Sequence, residues 1–277
     1  MNLQLGTAQF GNCYGLTNGQ AITSKRSSYE ILDFALSVGI NQVDTSPEYG
    51  ESFSTLAGYT GGALNVTTKI KVKGLSRAAI IDGVKKQVDQ IGSMHRIERV
   101  LIHDYMVLNQ HEREDILEFG IDQNLVETGF SIYELWELEE IKKSQTTPVP
   151  VQVPINILNQ SFLHATNSNQ YTNIEFVARS ILLQGALDWN SPRNIFRFHS
   201  DIERLKTFAK SLDFSPLQLA VAFTKSLNVA TALVGFNSLE QIVQFHSVWA
   251  AISKIDIDFS SFMSADELLI DPRKWKN

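Results

Sequence analysis

Cysteine is almost missing: Cys13 is the only one in 277 residues. One cysteine forms no internal disulfide and no metal cluster. The chain is therefore expected to hold no metal and to sit in a reducing compartment, where Cys13 reads as a loop residue of a Gly-rich turn. No run of 18 apolar residues exists, so no membrane-spanning helix is expected. The opening MNLQLGTAQFG lacks the charged segment and apolar stretch of a secretory leader, which points to the cytoplasm. Basic charge is in deficit, with 24 Lys and Arg against 30 Asp and Glu and a formal net charge of −6. Nucleic-acid binders carry a basic patch or stripe, and none stands out, so that class is set aside. Linkers and low-complexity segments are lacking too, and one domain over residues 1–277 is expected. A chain of this length buries a large core without covalent staples.

What is present is alternation. Short β-branched or aliphatic runs are followed by stretches with helical spacing. Strands are expected at Leu3–Gly6, Ile40–Asp44, Leu64–Ile70, Arg99–His103, Val126–Ser131, Val149–Pro154, Ile174–Ser180 and Ala230–Gly235. Helices are expected at Ser28–Gly39, Glu51–Tyr59, Arg77–Ile91, Gln110–Phe119, Tyr133–Lys142, Ile202–Ser211, Pro216–Leu227 and Leu239–Ala251. The Asn-, Ser- and Thr-rich stretch Asn159–Asn173 leaves room only for a short or irregular sixth helix. In the third helix Ile81, Val84, Val88 and Ile91 are expected to face inward. Ser238 and Gln241 have the spacing of a capping box at the last helix. Eight β/α units in this length favour a closed (β/α)8 TIM barrel. The alternative, an open doubly wound sheet, should show Gly-x-Gly-x-x-Gly after its first strand. Gly6-Thr7-Ala8-Gln9-Phe10-Gly11 lacks that spacing.

A barrel of this kind builds its active site at the C-terminal ends of its strands. The polar residues there are Asp44 at the end of strand two, Tyr49 in the loop after it, Lys69 near the end of strand three and His103 at the end of strand four. Singly, each has a plain structural reading: a turn former, a packed ring, a solvated cation and a structural imidazole. Together they suit carbonyl reduction, which needs a hydride and a proton. A free tyrosine titrates near pH 10, and a neighbouring ammonium lowers that value. Lys69 is expected to act so on Tyr49, with Asp44 holding Lys69 and His103 orienting the substrate oxygen. No side chain supplies hydride, so a cofactor is implied.

The segment Asp44-Thr-Ser-Pro-Glu-Tyr49-Gly50-Glu51-Ser52 closely resembles the signature of the aldo-keto reductase superfamily. Val66-Thr-Thr-Lys69-Ile70 and Val100-Leu-Ile-His103-Asp104 resemble its lysine and histidine strands. Gly129-Phe-Ser131-Ile-Tyr133, Val151-Gln152-Val-Pro154-Ile-Asn156, Arg179-Ser180-Ile-Leu-Leu-Gln184-Gly185 and Val234-Gly235 follow in the family's order. The resemblance implies a bound nicotinamide dinucleotide, usually NADP, with NAD open, and a small-molecule carbonyl substrate. It implies Asp44, Tyr49, Lys69 and His103 as the catalytic group. It implies cofactor contacts from Gly6 and Thr7, and from Asp44. Ser131 and Gln152 would hold the carboxamide, Ser180 and Leu182 would lie at the pyrophosphate, and Gly235, Ser238 and Gln241 would lie near the adenosine. The Arg-Ser and Gln-x-Pro-x-Asn segments look most like bacterial members found among surface-polysaccharide genes, which points to a sugar-like substrate.

The sequence also departs from the family. Ser131 is followed by Ile132 where an asparagine is common. Arg179 stands where many members stack a tyrosine on the nicotinamide; a guanidinium can stack as well, or it can pair with a carboxylate at the rim. From Gly235 to Ala251 there is no Lys or Arg to meet a 2′-phosphate, and Gln241 takes the arginine-like position. Ser238, Arg193 or Arg197 would have to compensate. Trp189, Phe196, Trp275 and Tyr105 read as packing. Two other functions remain in view: a catalytically weak cofactor-binding barrel with a regulatory or scaffold duty, and a redox-neutral reaction on a keto-sugar.

Overall fold

The computed structural model describes residues 1–16, 22–119, 126–144, 147–254 and 257–275. Its first half runs β1 (Asn2–Gly6), α1 (Lys25–Ser37), β2 (Gln42–Asp44), α2 (Ser52–Ala57), β3 (Asn65–Ile70), α3 (Arg77–Ile91), β4 (Arg96–Ile102) and α4 (Gln110–Phe119). The second half runs β5 (Glu127–Ser131), α5 (Leu135–Ser144), β6 (Val149–Pro154), α6 (Leu163–Thr166), β7 (Ile174–Arg179), α7 (Ser200–Ser211), α8 (Pro216–Ser226), β8 (Thr231–Gly235), α9 (Leu239–Ala251) and α10 (Glu267–Ile270). All strand pairings are parallel, and the order β1 to β8 closes on itself. The closing pair sets Gly6 beside Gly235, and β1 sets Gly6 beside Asp44 on the other side. Among the described residues, no helix is long and apolar enough to cross a membrane.

Local chemistry explains the boundaries. Helix α1 starts three residues before the expected Ser28, because Ser24 accepts a hydrogen bond from the Ser27 amide and caps it. Gly39, at φ 82°, ends it as a left-handed stop that glycine adopts without strain. The α8 start is as read, with Ser215 capping and Pro216 in the first turn. Strand β2 is shorter than expected. Strand β4 begins earlier and stops at Ile102, leaving His103 just past its end with its amide bonded to Ile70 O at 3.0 Å. The sixth helix is one short turn, as the polar composition implied.

The core is the barrel interior plus the seam between strands and helices. Val43, Val66, Val100, Phe130, Val151 and Ala178 are fully shielded on the strands. Each such aliphatic or aromatic side chain contributes about 1.5–3 kcal/mol. The inward face of α3 differs from expectation. It is formed by Ile80, Val84, Gln87 and Ile91, while Ile81 and Val88 are half-buried. The reason is Gln87, a polar residue on the apolar face. It accepts from Thr68 Oγ1 at 2.7 Å and donates to Lys69 O at 3.3 Å, fixing the strand that carries Lys69. At the strands' N-terminal ends Arg99 grips Glu175 with two parallel hydrogen bonds of 2.8 and 3.0 Å and also reaches Glu127. The charges at the opposite end of the barrel form a cleft.

Candidate active site

The strands' C-terminal ends surround a cleft of about 760 Å3. Asp44, Tyr49, Lys69 and His103 all line it. Asp44 and Lys69 are 2% and 3% exposed, so their ion pair is shielded from water. Lys69 Nζ lies 2.5 Å from Asp44 Oδ1 and also donates to Thr45 O at 3.2 Å. The second Asp44 oxygen accepts from Gln152 Nε2 at 2.9 Å. A buried carboxylate with both oxygens engaged avoids the cost of an unpaired charge.

Tyr49 is placed by glycine. A Cβ on Gly11 would sit 1.8 Å from Tyr49 O and 2.5 Å from the Glu51 and Ser52 amides. Only glycine lets the loop after β1 nest against the loop after β2. Gly50, at φ 52°, completes the contact from the other side. Lys69 Nζ then sits 5.1 Å from the centre of the Tyr49 ring.

Protonation follows from burial and neighbours. Burial pushes the Tyr49 phenol up, and Lys69 opposes this without reversing it. The expectation that Lys69 brings Tyr49 below its ordinary value is corrected: desolvation wins. Burial works against the Lys69 ammonium, but Asp44 and Tyr49 outweigh it, and Lys69 stays charged above the ordinary lysine value. His103 is pulled down to about 4 by burial, then by the Lys69 and Arg179 cations. Near neutral pH it is an uncharged imidazole, with one N–H to give.

The remaining predicted positions divide. Gly6, Thr7, Ser131, Gln152, Arg179, Ser180, Leu182, Gly235 and Gln241 line the same cleft. Thr7 spends its hydroxyl on Asp44 O at 2.9 Å and on Ser52, bracing the strand end. Ser131 Oγ is 3.5 Å from Gln152 Oε1. Ser238 is outside the lining: its hydroxyl caps α9 by accepting from the Gln241 amide. Gln241 does not close a capping box onto Ser238. Its Oε1 accepts from Asn237 N at 2.8 Å, one residue earlier. Arg193 and Arg197 do not line the cleft, and Arg197 instead bonds Pro192 O. Trp189, Phe196, Trp275 and Tyr105 are also outside the lining.

Arg179 departs from one of its two readings. Among the described residues it has no carboxylate partner. Its Nη2 donates to Ile132 O at 2.9 Å and its guanidinium stacks 4.1 Å from the Tyr133 ring centre. Arg273, from the C-terminal tail, lies 4.0 Å from that same ring and pairs with Asp271 and Glu134. Tyr133 is free for this because α5 starts at Leu135, not at Tyr133. The Glu137 carboxylate takes the Tyr133 and Glu134 amides at 2.9 and 2.8 Å and so organises that turn.

Sequence reading missed Tyr14, Gln9, Arg273 and the tail residues Glu267 to Lys274 that line the cleft. Tyr14, in the turn before Gly15, has its phenol held above the ordinary value by burial and by Tyr49. An aromatic ring in a Gly-rich loop was the available signal. Nothing in the tail's sequence marks it as part of the site.

The cleft fits an elongated polar ligand. Among the described residues, seven buried side-chain N or O atoms lack a hydrogen-bond partner, and four of them belong to cleft residues: Gln9 Oε1, His103 Nδ1, Arg179 Nε and Asn237 Oδ1. Buried polar atoms are normally paired, so this concentration marks where a ligand's polar groups belong. The loop after β7 adds strain along the wall: Ser180, Leu183 and Gln184 hold φ of 60°, 44° and 52°. Such conformations cost about 1–3 kcal/mol each and cluster at ligand clamps. This donor set fits a nicotinamide dinucleotide.

Residues 2–265 match the family described as the aldo/keto reductase family. No curated protein matches the chain. Solved structures similar to it include an aldo-keto reductase from Bacillus halodurans in its holo form, with TM-score 0.72 and 15% identity, covering 99% of this chain and 95% of that one. A glycerol dehydrogenase from Gluconobacter oxydans gives TM-score 0.66 and 17% identity over 94% of this chain and 89% of that one. An aldo-keto reductase from a deep-sea metagenome library gives 0.62 and 19% over 94% and 89%. At such identities the likeness shows the fold, while the sequence match over nearly the whole chain shows the family. The chain belongs to the aldo/keto reductase family and is an NAD(P)H-dependent oxidoreductase.

Proposed function

We propose that the protein reduces an aldehyde or ketone, with Tyr49 as proton donor and His103 as the group that orients the carbonyl oxygen. The observation that carries this reading is the gathering of a neutral phenol, a neutral imidazole and a shielded Lys69–Asp44 pair in one cleft. A nicotinamide dinucleotide held in this cleft would supply the hydride. As the carbonyl oxygen gains negative charge, the His103 N–H supports it and the Tyr49 O–H delivers the proton. The phenolate left behind faces the Lys69 ammonium, which Asp44 keeps charged and in place. Ser131 and Gln152 would hold the carboxamide, and the loop Ser180–Leu182 would follow the pyrophosphate.

The start of α9 would receive the adenosine. Asn237, Gln241 and Gln244 line the cleft there, and among the described residues its lining Lys and Arg residues are Lys69, Arg179, Arg273 and Lys274. With no basic residue at α9, NADH is expected to bind at least as tightly as NADPH. A polyhydroxylated, sugar-like carbonyl suits the mouth, where Tyr14, Glu134, Asn159, Ser161 and Asp271 offer hydrogen bonds.

Titrating the purified protein with NADH and NADPH, by fluorescence, tests the reading. Tight binding of either, with oxidation at 340 nm on adding a hydroxy-aldehyde panel, supports it. Binding of neither would leave the cleft without its hydride source and sink the proposal. Tight binding without turnover would favour a regulatory or scaffold barrel.

A further inference from the structure

Arg179 is the unusual charge of the cleft. Among the described residues, the other lining cations each have a carboxylate: Lys69 has Asp44, Arg273 has Asp271 and Glu134, and Lys274 has Glu267. Arg179 has none, its Nε is buried without a partner, and a guanidinium stays protonated at any working pH. Nor can this charge swing away. Ile132 O holds one end, the Tyr133 ring stacks on the guanidinium, and Arg273, itself tied down, stacks on the same ring. The lining carboxylates Glu134 and Asp271 are engaged by Arg273 and not by Arg179. Lys69 and Asp44 sum to zero, and Tyr14, Tyr49 and His103 are uncharged near pH 7. Among the described residues Arg179 is therefore the lining cation that no carboxylate pairs, and it is close enough to depress His103 and to pull against the rise of Tyr14.

We infer that Arg179 makes the protein discriminate between the two redox forms of its cofactor, favouring the reduced dinucleotide over the oxidised one. The inference rests on the reading that the cleft binds a nicotinamide dinucleotide. A ring able to pass hydride to a carbonyl held at Tyr49 and His103 must lie in the chamber Arg179 lines. The dihydronicotinamide is neutral and the oxidised ring is a cation. The phosphates and adenosine are common to both forms, so their contacts cancel in the ratio of the two affinities. Two like charges about 10 Å apart, at an effective dielectric of about 20, repel by more than tenfold in affinity. For a two-electron couple, tenfold corresponds to about 30 mV in the potential of the bound cofactor. The consequence suits reduction: the oxidised product leaves readily and reduced cofactor takes its place.

The test is binding, without turnover. Kd values for NADH and NAD+, and for NADPH and NADP+, are measured by calorimetry on the wild type, Arg179→Met, Arg179→Gln and Arg179→Lys. Gln can still donate to the Ile132 carbonyl, which keeps a neutral variant available if Met disturbs folding. The expected result is at least tenfold preference for the reduced form in the wild type. That preference should fall about tenfold in Met and Gln and be largely kept in Lys. A wild-type ratio near one overturns the inference, as does a ratio unchanged in the neutral variants. If acidic carbonyl substrates lose affinity in Arg179→Gln while the redox ratio stands, the cation serves a substrate anion and the inference is wrong. If neither form binds the wild type, the cofactor reading itself falls, and this inference with it.

Discussion

Replacing Lys69 by Met should destabilise the fold because of what it leaves behind. Asp44 is 2% exposed, and it would lose its Lys69 counter-ion while keeping the Gln152 hydrogen bond. Removing one partner of a buried ion pair costs about 3–5 kcal/mol, because the remaining charge is desolvated and unpaired. The retained Gln152 bond puts the expected loss near 3 kcal/mol. For a chain of this size each kcal/mol lowers Tm by about 2–4 °C, so Lys69→Met should melt roughly 6–12 °C lower. The double variant Lys69→Met with Asp44→Asn removes both charges from a site of similar volume. Its stability should return to within about 1 kcal/mol of wild type, so the second substitution recovers about 2 kcal/mol, while turnover stays lost. Thermal and urea melts of the four proteins read this out. A single variant as stable as wild type, or a double variant no better than the single, would refute the claim that an uncompensated buried carboxylate is the source of the loss.

Other outcomes follow from the same geometry. His103 holds its neutral form down to about pH 4, whereas an unfolded histidine takes its proton near 6.5. The unfolded state thus binds more protons between those values, and stability should fall by about 3 kcal/mol as pH drops from 6.5 to 4. His103→Asn should flatten that slope in melts across pH, and an unchanged slope counts against the shift. Gly11→Ala places a Cβ where Tyr49 O already stands. It should cost about 1–3 kcal/mol and cut kcat, whereas Gly83→Ala, in ordinary contact within α3, should be neutral or stabilising. Arg273→Ala removes one of the two guanidinium contacts on Tyr133 and should raise KM more than it lowers kcat, checked by steady-state kinetics.

The alternation of β-branched runs with helical spacing carries information about the barrel because each strand must be covered by the helix after it, and the eight units are visible in the chain. The positions at strand ends are also visible, since Asp44, Lys69 and His103 sit where apolar runs stop. Two kinds of feature stay hidden. Polar residues that pack inward, such as Gln87 on α3, shift the apparent apolar face by one residue. Contacts between distant segments leave no local pattern. The stacking of Arg179 and Arg273 on Tyr133 joins positions far apart in sequence, and the nesting of Gly11 against Tyr49 depends on two loops meeting. The raised pKa of Tyr49 stays hidden for a related reason: charge pairing is readable from neighbours, but the depth of burial is not.

The central claim is that Tyr49 gives the proton that completes carbonyl reduction. Its most direct test is single-turnover oxidation of bound NADH or NADPH by a reactive aldehyde, comparing wild type with Tyr49→Phe. The phenyl ring keeps the contact with Lys69 and removes only the O–H. The account predicts cofactor Kd values within about twofold of wild type and a hydride-transfer rate lower by about 10²–10⁴. A Tyr49→Phe protein that oxidises its cofactor at the wild-type rate would show that the proton comes from elsewhere and would contradict the account.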